Sequence, residues 1–321
     1  MKTYCFVLLI LLCSCQHRTE NKSFPTNKLL GKEIVFDETF DIIDMIIVDD
    51  YLVVTSAQSD TLVHIYSLPD IKLVSKMGLK GEAPFNLVYS LLFKGSGSKL
   101  IIGGFDNGKA VKYFQIQDDI VTEIQTSKVF FNEALNDAYA MNDSILIYNS
   151  IFDLTLRKIN IKNHSVSDIC QFPKDNHQES FFYSNKGKLG INNTSIVYAY
   201  FYKDQIDFMD LTGKLIKRIV GKNDSSSISI DNMNMNYMSY VNLYAGTNYF
   251  YLLHRGQTLA DYINNNLNDR LEVYSGDGQL QNEYSFEIPP IIFVVDEKRN
   301  ILYGYNGMYK DVLLVYKLEQ S

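Results

Sequence analysis

A short β-branched run recurs six times at intervals of about fifty residues, a second run follows each at a near-constant distance, and one orphan strand-like segment precedes the first copy. These observations predict an all-β fold: a six-bladed β-propeller whose N-terminal strand closes the last blade. The first runs are YLVVTS from Tyr51, KLIIGG from Lys99, SILIYN from Ser144, SIVYAY from Ser195, YFYLLH from Tyr249 and NILYGY from Asn300, spaced 45 to 54 residues apart. Their companions, VHIYSL, VKYFQI, LRKINI, IDFMDL, LEVYSG and LLVYKL, lie 13 to 15 residues further on, except in the fifth repeat, where the gap is 24. Two strands in fixed register at this period are the middle of a four-stranded blade. No long apolar run of helical period follows the N-terminus, and Gly, Asn, Asp and Ser separate the runs.

The remaining strands are then placed around each pair. Inner strands are expected at Ile42 to Val48, Leu87 to Phe93, Ala134 to Met141, Phe181 to Ser184, Met238 to Tyr244 and Ile291 to Val295. Outer strands are expected at Ile71 to Met77, Ile120 to Gln125, Val166 to Phe172, Leu215 to Val220 and Leu280 to Phe286. The sixth repeat ends at Ser321 without an outer strand, and Glu33 to Phe36 can supply it, which closes the ring and removes two open sheet edges.

The first fifteen residues, MKTYCFVLLILLCSC, combine a basic start at Lys2 with an apolar run too short to span a bilayer as a mature helix. Leu12, Cys13, Ser14 and Cys15 resemble a bacterial lipobox. That resemblance implies cleavage before Cys15 and a lipid on its thiol. The expected division is a signal peptide over 1–14, a lipidated tether over 15–30 and the propeller over 31–321. Gln16 to Thr19 lack both an inner-membrane retention Asp and an acidic surface-export run, so the expected location is the outer membrane, facing the periplasm. Cys170 is then the only free thiol; its strand-like surroundings suggest a small apolar side chain rather than a nucleophile.

With 321 residues, 46% hydrophobic and 21% charged, the chain is long enough to bury a core without disulfides. Its net charge of -7 and the lack of any basic cluster argue against nucleic acid as a partner. His17, His64, His164, His177 and His254 are scattered with no metal-ligand spacing, and no GxSxG elbow, P-loop or GxGxxG is present. No metal, cofactor or catalytic residue is therefore expected. Glu82, Asp137, Asp231 and Asp296 read as turn or capping residues.

The six repeats, the lipobox and the segment MGLKGEAPF (Met77 to Phe85) resemble the TolB-like six-bladed propeller lipoproteins of the Bacteroidetes, over roughly residues 31 to 318. In that segment Gly78, Gly81, Glu82, Pro84 and Phe85 correspond in altered order to a turn found after the first blade of relatives. The resemblance implies a propeller in the cell envelope and assigns no activity.

In a blade, the loop between the middle strands and the loop from an outer strand to the next inner strand emerge on one face. The irregular segments Gly78 to Phe85, Pro173 to Ser180, Gly221 to Tyr237 and Arg255 to Arg270 all fall in these classes. Met233, Met235, Tyr237, Arg255 and Tyr262 are the expected contact residues, since Arg and Tyr anchor interfaces and Met adapts to them. Leu259, Ala260, Tyr262 and Ile263 can form one amphipathic turn over the same face. The expected function is a non-catalytic envelope lipoprotein that binds a protein or glycan through this face. The chain has no Trp to stack on sugars, so Tyr would have to serve. The alternative is a metal-dependent hydrolase or lyase with its site in the central channel, built from acids and amides of several blades, for which Glu82, Asp137, Asp231 and Asp296 are the candidates if they are not turn or capping residues.

Overall fold

The computed structural model describes residues 27–36, 41–83, 85–128, 135–172, 178–222, 228–264, 268–309 and 311–319. The signal peptide, Cys15 and the first part of the tether lie outside them. Six antiparallel sheets form six blades. In order from the inner strand outward, blade 1 is Ile42–Val48, Tyr51–Ser56, Thr61–Ser67 and Lys72–Leu79. Blade 2 is Leu87–Lys94, Lys99–Gly104, Ala110–Gln117 and Ile120–Lys128. Blade 3 is Leu135–Asn142, Ile145–Ser150, Leu156–Asn160 and Val166–Cys170. Blade 4 is Gly187–Ile191, Ile196–Tyr200, Gln205–Met209 and Leu215–Val220. Blade 5 is Tyr237–Ala245, Tyr249–Thr258, Arg270–Ser275 and Leu280–Phe286. Blade 6 is Ile292–Asp296, Ile301–Tyr305 and Val312–Lys317, completed by Lys32–Val35 from the N-terminal side.

The core is six separate clusters, one between each pair of neighbouring blades. Because successive side chains of a strand point to opposite faces, Leu52 and Val54 pack toward blade 6 while Val53 packs toward blade 2. A middle strand buried on both faces needs apolar residues at every position, which is why these runs read as continuous rather than alternating. Outer strands keep one wet face, as the exposed Ile120 and Ile124 of blade 2 show.

Closure follows the expected route. Lys32–Val35 pairs antiparallel with the third strand of blade 6, from Lys32 opposite Val315 to Val35 opposite Val312, and Phe36 donates its N–H to Asp311 at 2.9 Å. Phe36 is buried against Tyr66 between blades 6 and 1. Carboxylates reinforce the joints where first strands turn into second strands. Glu297 of blade 6 accepts N–H bonds from Thr247 and Tyr249 of blade 5 at 2.9 and 3.0 Å. Asp143 of blade 3 accepts from Ser96 N–H at 2.8 Å and Lys99 Nζ at 2.5 Å in blade 2. Asp50 of blade 1 meets Arg299 and Lys298 of blade 6, and these cations hold its carboxyl below the usual range.

Three differences from the sequence reading have physical causes. Asn27–Leu29, assigned to the tether, adds a fifth, parallel strand to the outer edge of blade 5 and buries Leu29 against Phe286. The segment Phe181 to Ser184, expected as an inner strand, lies in a helix over Gln178–Asn185 that Asn185 closes by donating to the Phe181 carbonyl at 3.0 Å. The inner strand of blade 4 is Gly187–Ile191 instead. Its glycines weaken strand propensity but fit the site: a Cβ on Gly187 would lie 2.5 Å from the Ala199 carbonyl oxygen. Finally, the second strand of blade 5 runs on to Thr258 and takes in Arg255–Thr258, which the sequence places in a loop.

Candidate functional site

The antiparallel order of each blade sends two classes of connection to each end of the ring. Turns joining first to second and third to fourth strands form one face. Connections between middle strands and from blade to blade form the other, here the loop face. The large exposed apolar side chains of the connections sit on the loop face: Phe85, Phe152, Ile230, Met235, Ile263 and Met308. Among the described residues, no large apolar side chain is exposed in the opposite turns.

Blade 5 carries the most elaborate part of this face. A 3-10 turn over Met233–Met235 is held by Asn236, which accepts from Ser229 N–H at 2.8 Å and donates to the Ser229 carbonyl at 2.9 Å. Beside it packs a short helix, Leu259–Ile263, over the four residues expected to form one turn. The helix starts at a capping box in which the Thr258 hydroxyl accepts from Asp261 N–H while the Asp261 carboxylate accepts from Thr258. Tyr237 borders a cavity of about 300 Å³ with Gly256, Gln257, Thr258, Asp261 and Asn268. Gln257 is 6% exposed and its carboxamide has no partner among the described residues.

Met233, Met235, Tyr237 and Tyr262 thus come together at one end of blade 5, with Met235 59% exposed. Arg255 stands differently. It is 7% exposed, bonded through Nε and a terminal nitrogen to Asp269 at 3.0 to 3.3 Å, and its guanidinium lies 3.8 Å from the centre of the Tyr262 ring. Burial pushes the Asp269 carboxyl up, opposed by the bonds from Arg255. Arg255 therefore spends its donors and its flat face inside the protein and fixes Tyr262 from beneath.

A second feature was not found by the motif search. A cavity of about 890 Å³ follows the ring axis, lined by the inner strands of all six blades. Asp49, Ser96, Asn193, Thr247 and Lys298 border it at the turn face. Inner strands pair on one side only, so their free backbone edges face this channel. In blades 1, 3 and 5 the register shifts, between Ile42 and Asp44, Leu135 and Asp137, and Tyr240 and Asn242. Each of these three shifts ends on an acid or amide, and a bulge re-aims the side chain it carries.

All three side chains reach the next blade. Asp44 accepts from Met45 N–H at 2.8 Å and faces the backbone N–H of Leu92 in blade 2. Asp137 accepts from Leu189 N–H of blade 4 at 3.3 Å and meets Lys188 Nζ at 3.5 Å. Asn242 donates to the Ile291 carbonyl at 2.9 Å, just before the inner strand of blade 6. Burial pushes the Asp44 carboxyl up to about 7, against the bond from Met45. Tyr139, also facing the channel, is raised by burial with Asp137 and Asp44 nearby. Asp137, read from sequence as a turn residue, is a channel residue. Asp296 is buried and paired with Arg299 at 2.7 Å. Among the described residues, no three His, Cys, Asp or Glu side chains gather closely enough to hold a metal ion.

The geometry defines the class: a six-bladed β-propeller with a built loop face and an open polar channel. Solved structures of similar shape include a putative exported protein of Bacteroides fragilis, with a TM-score of 0.56 at 8% identity over 91% of this chain and 95% of that one. The WD40 repeats of RRP9 align with a TM-score of 0.53 at 8% identity, over 90% of this chain and 98% of that one. At such identities the likeness shows the fold alone. No family model and no curated protein sequence matches the chain.

Proposed function

We propose that the protein is a non-catalytic envelope lipoprotein that binds a protein partner through the loop face of its propeller. The observation that carries this reading is the one-sided distribution of exposed apolar side chains. Apolar side chains gathered in the connections of one face are a usual mark of an interaction site. The blade 5 platform supplies adaptable Met233 and Met235 and amphipathic Tyr237 and Tyr262, while Arg255 supports them from below. On the same face, Ile263 and Met308 favour a protein surface over a sugar, since aliphatic side chains add area but no stacking plane.

A capture experiment from envelope extract tests the face. Met235→Asp combined with Ile263→Asp should reduce the recovered partner at least tenfold, because two charges would be desolvated in a packed interface. Lys162→Glu, in a turn on the opposite face, should leave recovery unchanged. Equal recovery by both variants would remove the loop face as the binding site.

The anchor is tested separately. Cys15→Ser should move the protein from the membrane to the soluble fraction, because acyl chains contribute roughly 0.8 kcal/mol per buried methylene. Retention of that variant in membranes would require another anchor.

A further inference from the structure

The channel is a built site that the loop-face reading does not use. The cavity is lined by five carboxylates, Asp44, Asp49, Asp137, Asp296 and Glu297, against three lysines, Lys94, Lys188 and Lys298; away from the turn-face mouth these reduce to Asp44 and Asp137 with Lys188, which stands 3.5 Å from Asp137. Among the described residues, no cation is paired directly with Asp44, and Lys188 acts on it only at a distance. Backbone N–H groups hold both carboxylates, Met45 N–H of its own strand for Asp44 and Leu189 N–H of blade 4 for Asp137, so neither needs to be ordered by an incoming ligand. Tyr139 and Tyr244 line the same space, and Tyr139 is close enough for both carboxylates to act on its hydroxyl. A separate observation comes from blade 2: Ser90, 9% exposed and two residues before Leu92, lines the cavity with a hydroxyl that has no partner among the described residues. The volume, about 890 Å³, falls within the range of small-molecule sites.

We propose that the channel binds a small organic ammonium group, held by Asp44 and Asp137 and flanked by the rings of Tyr139 and Tyr244. The charge balance of the lumen rejects an anion. A divalent metal is disfavoured by the two-carboxylate donor set and by the Lys188 ammonium within it, whereas an alkylammonium gains from aromatic walls as well as from the carboxylates. The ionisable groups bearing on Asp44 are Asp137, which raises its pKa, and Lys188, which lowers it; Tyr139 stands alongside. Burial leaves Asp44 half protonated near pH 7. A bound ammonium selects the ionised form, so affinity should fall about tenfold per pH unit below that point.

Calorimetry on the purified full-length protein tests the site with cadaverine, a free diamine, and with Nα-acetyl-lysine amide, which stands for a lysine side chain of a partner. Binding of either at pH 8 is expected, and the difference between them identifies the source of the amine. Asp44→Asn preserves the acceptor for the backbone N–H groups and should weaken binding at least tenfold. Lys188→Met removes the competing ammonium beside Asp137 and should tighten binding several-fold. Loss of folding cannot produce these opposite changes. The proposal is overturned if neither amine binds at pH 8, if glutarate or Ca²⁺ binds where the amines do not, or if Asp44→Asn binds as well as the wild type. None of these outcomes depends on whether the loop face captures its partner.

Discussion

A chain lacking residues 27–36 is expected to lose most of its thermal stability and to self-associate. The deletion removes Leu29 from the cluster between blades 5 and 6 and Phe36 from the cluster between blades 6 and 1, together with the partly buried Ile34. At about 1.5 to 3 kcal/mol for each buried apolar side chain, the loss is on the order of 5 kcal/mol before the opened edges are considered. Those edges, Leu280–Phe286 of blade 5 and Val312–Lys317 of blade 6, would present unpaired N–H and C=O groups to other chains. Scanning calorimetry and light scattering would show a melting transition lowered by roughly 10 °C or more, with growth in particle size. An unchanged transition would mean that the ring does not depend on this closure.

Arg255→Ala should be the most destabilising single substitution on the loop face. It leaves the Asp269 carboxylate, whose side chain is fully enclosed, without its partner, and removes the surface on which Tyr262 lies. Breaking a buried pair from one side costs about 3 to 5 kcal/mol, which corresponds to a fall in Tm of roughly 10 °C for a domain of this size. Replacing both partners by apolar residues, Arg255→Met with Asp269→Leu, should recover much of the loss. Urea denaturation of the three proteins measures this directly. If Arg255→Ala matched the wild type, the pair would contribute nothing to stability and Arg255 would return as a candidate contact residue.

The order of the strands was largely legible because its cues are local. YLVVTS or NILYGY reads as a strand wherever it stands, and the interval between copies sets the number of blades. The exceptions came where local cues oppose the tertiary context. Gly187–Ile191 carries two glycines that lower strand propensity, yet only glycine lets Gly187 lie against Tyr198 and the Ala199 carbonyl. Asn27–Leu29 is too short and polar to announce itself, and becomes a strand because the outer edge of blade 5 offers it partners.

The sites divide in the same way. Chain topology alone sends the loops carrying Met233, Met235, Tyr237 and Tyr262 to one end of the ring, so their grouping could be reasoned from sequence. The burial of Arg255 could not, because its partner Asp269 lies across the blade 5 insertion and a free arginine reads the same in a linear chain. The channel carboxylates were hidden by register. A one-residue shift at a bulge turns a side chain toward a different surface, and nothing at Asp44 or Asp137 marks that shift locally. Hydrophobic pattern and repeat length, which act over a few residues, determined the architecture from sequence. Which polar groups are buried, paired or turned into the channel was decided only when six blades met, because that depends on contacts between residues far apart in the chain.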